Sequence, residues 1–272
     1  MRTQQKSKLV PDELITLKNN QWLHDQKIAG KCVARILSAC ADAVNNKTSP
    51  LSLKDLESFA FLYCKEMNCI PTFLGYRGFP SAICASVNKQ LVHGIVSDYV
   101  LEEGDLVTVD VGATYNGAIA DAARTWIYGE PKDKRHVQLL KHGREALRVG
   151  TEAVQKGKQI GAIGHAIYKY AYGWYHYGVV TDYGGHGLDI NKPHADPFIL
   201  NRDEAWNGAR IVPGLSIAIE PMLTLYSDPK AKVLDDKWTV VTNYLSCHFE
   251  DSVTFMEDGV HIITEMPDEI KF

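Results

Sequence analysis

At 272 residues the chain can bury a sizeable core, as one large domain or two small ones. Its apolar, aromatic and charged fractions are ordinary for a globular protein, and a net charge of −4 gives no basis for electrostatic capture of nucleic acid. The polar, basic segment 1–10 lacks the apolar core of a secretory signal and no apolar run is long enough to span a bilayer, so no membrane partner and a cytoplasmic location are expected.

Taken in chain order, 1–11 read as a short flexible extension. Residues 12–45 carry Leu14, Leu17, Ile28, Val33, Ile36 and Leu37 at helical spacings, which predicts a long helical region. A second helix follows Pro50, capped by Ser52, with Leu53, Leu56, Phe59, Leu62 and Tyr63 as its apolar stripe. From Phe73 to Ile95 the text turns to Gly, Pro and aromatic residues with short β-like pieces, as expected of loops and strands lining a site. The clearest strand is 106–112, and Asn116-Gly117 beyond it is a strong hairpin signal. Residues 132–156 and 160–177 read as helices; 179–183, 215–220, 238–242, 249–256 and 260–264 read as strands. Strands that do not alternate regularly with helices favour an α+β fold, with helices packed on a mostly antiparallel sheet, over a doubly wound parallel one. No linker interrupts 12–272, which reads as a single domain. Six scattered cysteines without a CxxC pair are expected to be reduced and buried.

The hairpin permits a geometric argument. With Asn116-Gly117 as the turn, Tyr115 pairs with Ala118 and Gly112 with Asp121. Asp110, two residues beyond Gly112, then shares a face with Asp121, and the two become diagonal cross-strand neighbours roughly 7–8 Å apart at the backbone. Asp110 sits among Val107, Val109 and Val111, and Asp121 among Ile119, Ala120, Ala122 and Ala123. Charges in such company are costly unless paired or metal-bound, so a divalent cation, or a pair, is their natural partner. Glu220 ends a strand whose same-face neighbours Ser216 and Ala218 leave open space before it, and Glu250 closes a similar strand beside Phe249. His186 lies in Tyr183-Gly-Gly-His-Gly187, where flanking glycines allow close backbone approach and make the imidazole a candidate ligand. His93 and His194 add two imidazoles in Gly/Pro-rich text. No GxSxG elbow, P-loop or HExxH helix occurs.

In this order the motifs Phe73-Leu-Gly-Tyr-Arg-Gly-Phe-Pro80, Val92-His-Gly-Ile95, Val109-Asp-Val111, Ala120-Asp121, Tyr183-Gly-Gly-His-Gly187, Ile219-Glu-Pro-Met222 and Phe249-Glu250 resemble those of methionine aminopeptidases of the bacterial, type I kind. The resemblance spans about 12–265. It implies the pita-bread (creatinase/aminopeptidase) fold, a pseudo-twofold antiparallel sheet with helices packed on its outer face. It further implies a metal cage in which Asp110 binds one metal, Asp121 and Glu250 bridge, and His186 and Glu220 complete the second site. Two divalent ions of Co, Mn, Fe or Zn suit that donor set. The implied reaction is removal of the initiator methionine from nascent polypeptides by attack of a metal-bridging hydroxide. Glu220 would transfer protons, His194 contact the substrate carbonyl and His93 the scissile nitrogen, while the free amine binds a metal. Phe73, Tyr76, Phe79, Cys84 and Trp238 fall where the family's methionine pocket lies. A monomer is implied, and any ribosome docking would use the folded surface.

The sequence also departs from that pattern. Phe73 stands where relatives carry a small cysteine, the stretch between His186 and His194 is one residue longer than usual, and Pro193 replaces a pocket phenylalanine. Ala195-Asp196 stands in place of an acidic pair, and Asp251 in place of a histidine. These positions concern the side-chain pocket and not the cage. The Glu250-Asp251 pair leans towards an alternative, a prolidase or aminopeptidase P-like specificity, although those relatives usually carry an extra amino-terminal domain. A metal-free binding module is the other alternative, set against by an intact ligand set.

Overall fold

A computed structural model describes residues 15–46 and 50–266. The expected extension at 1–11, and Leu14, lie outside the described residues.

The first helix, α1 (Asn20–Asn46), begins later than its periodicity suggests. The Asn19 side chain accepts the Trp22 N–H at 2.9 Å and so caps the helix, leaving Leu17 ahead of it and exposed. Helix α2 (Leu53–Glu66) starts on the expected Ser52 through a reciprocal capping box with Asp55. Its buried face is Leu53, Leu56, Ala60 and Cys64, and Leu62 points to solvent. Short strands β1 (Ile70–Pro71), β2 (Cys84–Val87) and β3 (Gln90–Val92) precede the long hairpin β4 (Asp105–Tyr115) and β5 (Ala118–Tyr128). After α3 (Lys134–Glu152) and α4 (Gly161–Tyr168) a π-helical turn continues to Trp174. The second half holds β6 (Gly178–Val179), β7 (Gly184–Asp189), β8 (Lys192–Leu200), β9 (Leu215–Ile219), β10 (Met222–Thr224), β11 (Lys232–Val233), β12 (Val240–Val241), β13 (Ser246–His248), β14 (Asp251–Met256) and β15 (Gly259–Ile262).

All the strand pairs described are antiparallel. β4 is flanked by β1, β2 and β5, and a five-stranded sheet runs β15-β14-β9-β7-β8. An antiparallel bridge between Ala123 and Glu250 joins the two. Alternation then sorts the side chains. Val107, Val109, Val111 and Ala113 of β4, with Ala120 and Ala122 of β5, enter one core with α1 and α2. Leu215, Ile217 and Ile219 of β9, with Val253 and Phe255 of β14 and Cys247 and Phe249, enter a second core with α3 and α4. Each half therefore turns an apolar face to its helices and leaves the intervening residues on the other face. This is the expected α+β arrangement, with helices backing an antiparallel sheet in two comparable halves. The six cysteines are free and buried, as their spacing suggests.

Two expectations fail. Residues 187–196, where no strand is expected from the sequence, are most of the β7–β8 hairpin, which shifts register beside Gly187. The strand expected at 179–183 is limited to Gly178–Val179.

Candidate active site

The hairpin register is the one the turn dictates: Tyr115 faces Ala118 and Gly112 faces Asp121. Asp110 pairs with Ala123 on one side and Cys84 on the other. Asp110 and Asp121 thus share the face opposite the α1–α2 core, and both are buried. Ser252 clamps Asp121 from the other half: its hydroxyl accepts the Asp121 N–H at 2.7 Å and donates to the Asp121 carbonyl at 2.8 Å.

The second half supplies the remaining groups through one continuous register. Ile219 pairs with Asp251 and Met222 with His248, so Glu220 and Glu250 fall opposite one another at the break between the two ladders. His186 pairs with Ala218, which puts its ring on the Glu220 side of the sheet. Its Nε2 lies 3.6 Å from Glu220 Oε1 and 4.0 Å from Glu250 Oε1, while Nδ1 is 3.3 Å from the Gly187 carbonyl. The flanking glycines serve strand packing more than ligand approach. A Cβ on Gly185 would lie 2.2 Å from the Ala218 carbonyl oxygen, and one on Gly187 would lie 1.9 Å from that of Asp196.

The electrostatics of this cluster are unbalanced without a cation. Burial raises Asp110 well above the carboxylate range, with the charge of Asp121 adding to it, and pushes Asp121 up to about 7. Burial raises Glu220 and Glu250 in the same way, and the surrounding carboxylates add to it. Asp110 Oδ1, Asp121 Oδ1 and Glu250 Oε1 are buried without a hydrogen-bond partner. Donor atoms of Asp121, His186 and Glu250 lie within 4.8 Å of one another, as do those of Asp110, His248 and Glu250. Orphaned, converging oxygens with imidazole nitrogens among them fit divalent metal ions.

His248 is the residue sequence reasoning missed. The strand was read from Phe249, which cut off the residue two positions before Glu250 and hence on its face.

His93 and His194 border the cluster. His93 is held at φ 58°, a conformation uncommon outside glycine, and its Nδ1 is buried without a partner. Burial holds its pKa down to about 4. The His194 ring, on β8, lies 4.5 Å from that of His186 and stacks on Tyr76 at 5.3 Å. Phe73, Phe79 and Cys84 form one small apolar cluster with Trp238 and Ile95 against it, and Phe79 and Trp238 meet edge to face at 5.1 Å. Because Cys84 pairs with Asp110, this chamber abuts the carboxylates. Phe73 packs over Gly112, where a Cβ would approach its ring to 3.0 Å. Asp251 is not part of the site. It is on the opposite side of β14 from Glu250, where it accepts from Arg124 at 2.8 Å and from Thr264 at 2.7 Å.

The sequence pattern of metallopeptidase family M24 matches residues 25–257. A methionine aminopeptidase of Clostridium acetobutylicum is 36% identical over 254 residues, 92% of this chain and 99% of the relative. The crystal structure of a methionine aminopeptidase from Thermotoga maritima superposes with a TM-score of 0.86 at 34% identity, covering 92% of this chain and 99% of that one. A prolidase from Pyrococcus furiosus shares the fold at a TM-score of 0.73 and 22% identity, and the match covers 94% of this chain and 67% of the prolidase.

Proposed function

The chain belongs to metallopeptidase family M24 and has its pita-bread fold, and on that premise we infer that it is a metal-dependent aminopeptidase that removes the amino-terminal methionine of polypeptides. The observation that carries this reading beyond the family is the shared strand pair. Cys84 of the aromatic chamber and Asp110 of the carboxylate cluster are direct partners, so a side chain in the chamber brings its own backbone amine to the carboxylates.

In this reading Asp110, Asp121, His186, Glu220 and Glu250 hold two divalent cations. Four ionised carboxylates carry the charge that two such ions neutralise, and Co, Mn, Fe or Zn suits oxygens mixed with imidazole. When bound, the ions supply a water reactive at neutral pH and positive charge for a developing oxyanion. Glu220 accepts and returns the proton, its carboxyl being raised above the usual carboxylate range by burial and by the charges of Asp110 and Asp121. His93, neutral at pH 7, offers one donor and one acceptor to the scissile amide nitrogen. His194 holds the carbonyl oxygen, braced by Tyr76. The carboxylate end of the chamber, where the cations would be held, receives the free amine of the first residue, and Phe73, Tyr76, Phe79, Cys84 and Trp238 enclose the methionine side chain, aromatic walls suiting a flexible thioether. The substrates of this reading are nascent polypeptides, met in the cytoplasm or at the ribosome by a monomer organised as a single catalytic domain. Among the described residues no helix is long and apolar enough to cross a membrane.

A peptide panel tests the specificity. With Co or Mn added, Met-Ala-X peptides are expected to lose methionine while X-Pro peptides stay intact. Cleavage confined to X-Pro would overturn the reading in favour of a prolidase-like enzyme. Asp251, the residue that leans towards that alternative, is paired with Arg124 and faces away from the cluster.

A further inference from the structure

His248 has no part in the five-residue cage, yet its ring is only 1% exposed and lies beside that cage. We propose that His248 is a sixth protein ligand of the metal centre, binding through Nε2 the cation held by Asp110. The proposal rests on the metal-dependent reading above.

The ring has little freedom to be elsewhere. Cys247 and Phe249 enter the core beneath α3, where Gly143 leaves room: a Cβ there would lie 2.5 Å from Cys247 Sγ and 2.8 Å from Phe249 Cδ2. Alternation therefore turns His248 to the face of Glu250. Thr125 fixes the backbone. Its hydroxyl accepts the His248 N–H at 3.0 Å, donates to the His248 carbonyl at 2.9 Å, and is itself 2.8 Å from the Thr108 hydroxyl.

Nε2 then sits 3.4 Å from Glu220 Oε2 and 3.7 Å from Glu250 Oε2, yet neither ring nitrogen has a hydrogen-bond partner. A buried histidine with a purely structural role is expected to use its nitrogens, as His142 does with the Tyr170 hydroxyl at 2.8 Å. An imidazole that is buried, unpartnered and aimed at carboxylates has the arrangement of a ligand awaiting its ion. The donor atoms divide accordingly. Asp110, His248 and Glu250 converge on one side, and Asp121, His186 and Glu250 on the other. Each cation would have one imidazole, which shifts both positions from hard ions such as Mg or Ca towards Co, Fe or Zn.

Calorimetric titration of metal-free protein with Co(II), together with proton NMR of the loaded protein, tests this. Wild-type protein is expected to take up two ions and to show two exchangeable, strongly shifted imidazole N–H signals, from His186 and His248. In His248→Gln one ion should bind as before, the other at least about tenfold more weakly, and one signal should vanish. Unchanged isotherms in a folded His248→Gln protein would overturn the proposal and leave the metal-dependent reading standing. No uptake by the wild type would overturn both. Should the variant not fold, the wild-type spectrum decides: a single shifted imidazole signal overturns the proposal and two support it.

Discussion

Asp121 shows what burial does to a carboxylate of this cluster. Pushed up to about 7 by burial, it keeps its proton over a range where an unfolded aspartate, at 3.8, has released it. The folded protein then binds more protons than the unfolded chain, so this contribution to stability falls as pH rises from 3.8 to about 7. Asp110, Glu220 and Glu250 are raised in the same direction. The histidines oppose them. Burial holds His186 down to about 4 and His248 to about 3, so their neutral rings contribute stability that grows with pH up to 6.5. Cation binding needs the carboxylates ionised and the imidazoles neutral, and the imidazoles already are. Metal affinity is therefore expected to rise between about pH 5 and pH 7, with protons released from carboxylates on binding. Titrations in buffers of different protonation enthalpy would measure this, and an affinity flat across that interval would refute it.

Among the elements, the β7–β8 hairpin is the most exacting. It carries both His186 and His194, and at Gly185 it lies so close to β9 that a methyl group would meet the Ala218 carbonyl oxygen at 2.2 Å, a contact with backbone that cannot swing aside. Gly185→Ala is expected to cost more than about 2 kcal/mol of stability through overpacking and to weaken metal uptake by displacing His186. Denaturant unfolding and calorimetry on the same variant would separate the two effects. Intact stability would show that β7 has room to move. This hairpin is also where the sequence was least legible. Lys192-Pro-His-Ala-Asp-Pro197 has two prolines and little apolar alternation, so nothing local marks it as strand, and only pairing with β7 makes it one. The β4–β5 hairpin is the opposite case. Asn116-Gly117 fixes its turn, the turn fixes its register, and the register places Asp110 beside Asp121 without any knowledge of the fold. For His186, Glu220 and Glu250 no local rule does this, since their convergence depends on strands far apart in the chain. His248 was within reach, because period-two alternation from Glu250 passes through it.

At the scale of the molecule, two helix-backed halves meet along a seam, and a pseudo-twofold relation of this kind leaves no trace in hydrophobic periodicity. Part of the seam is a buried polar network. Gln26 of α1 donates to the Ile119 carbonyl at 2.8 Å and to the Ser216 hydroxyl at 2.9 Å, and accepts from the Thr254 hydroxyl at 2.6 Å. Gln26→Leu keeps the volume but strands these partners, and a loss of about 3 kcal/mol is expected. Equilibrium unfolding in denaturant would check it, with an unchanged midpoint counting against the seam as a source of stability. The Ala123–Glu250 bridge and the Ser252 clamp on Asp121 tie the same halves together at the site. Because the proposed cage draws Asp110 and Asp121 from one half and Glu220 and Glu250 from the other, its assembly has an order in time. A ribosome making about 5–20 residues per second finishes the first hairpin on the order of ten seconds before Glu250 exists. During that interval the aspartate pair has no glutamates to complete it, so a growing copy of the enzyme cannot act on the amino termini around it until nearly all of its own chain has been made.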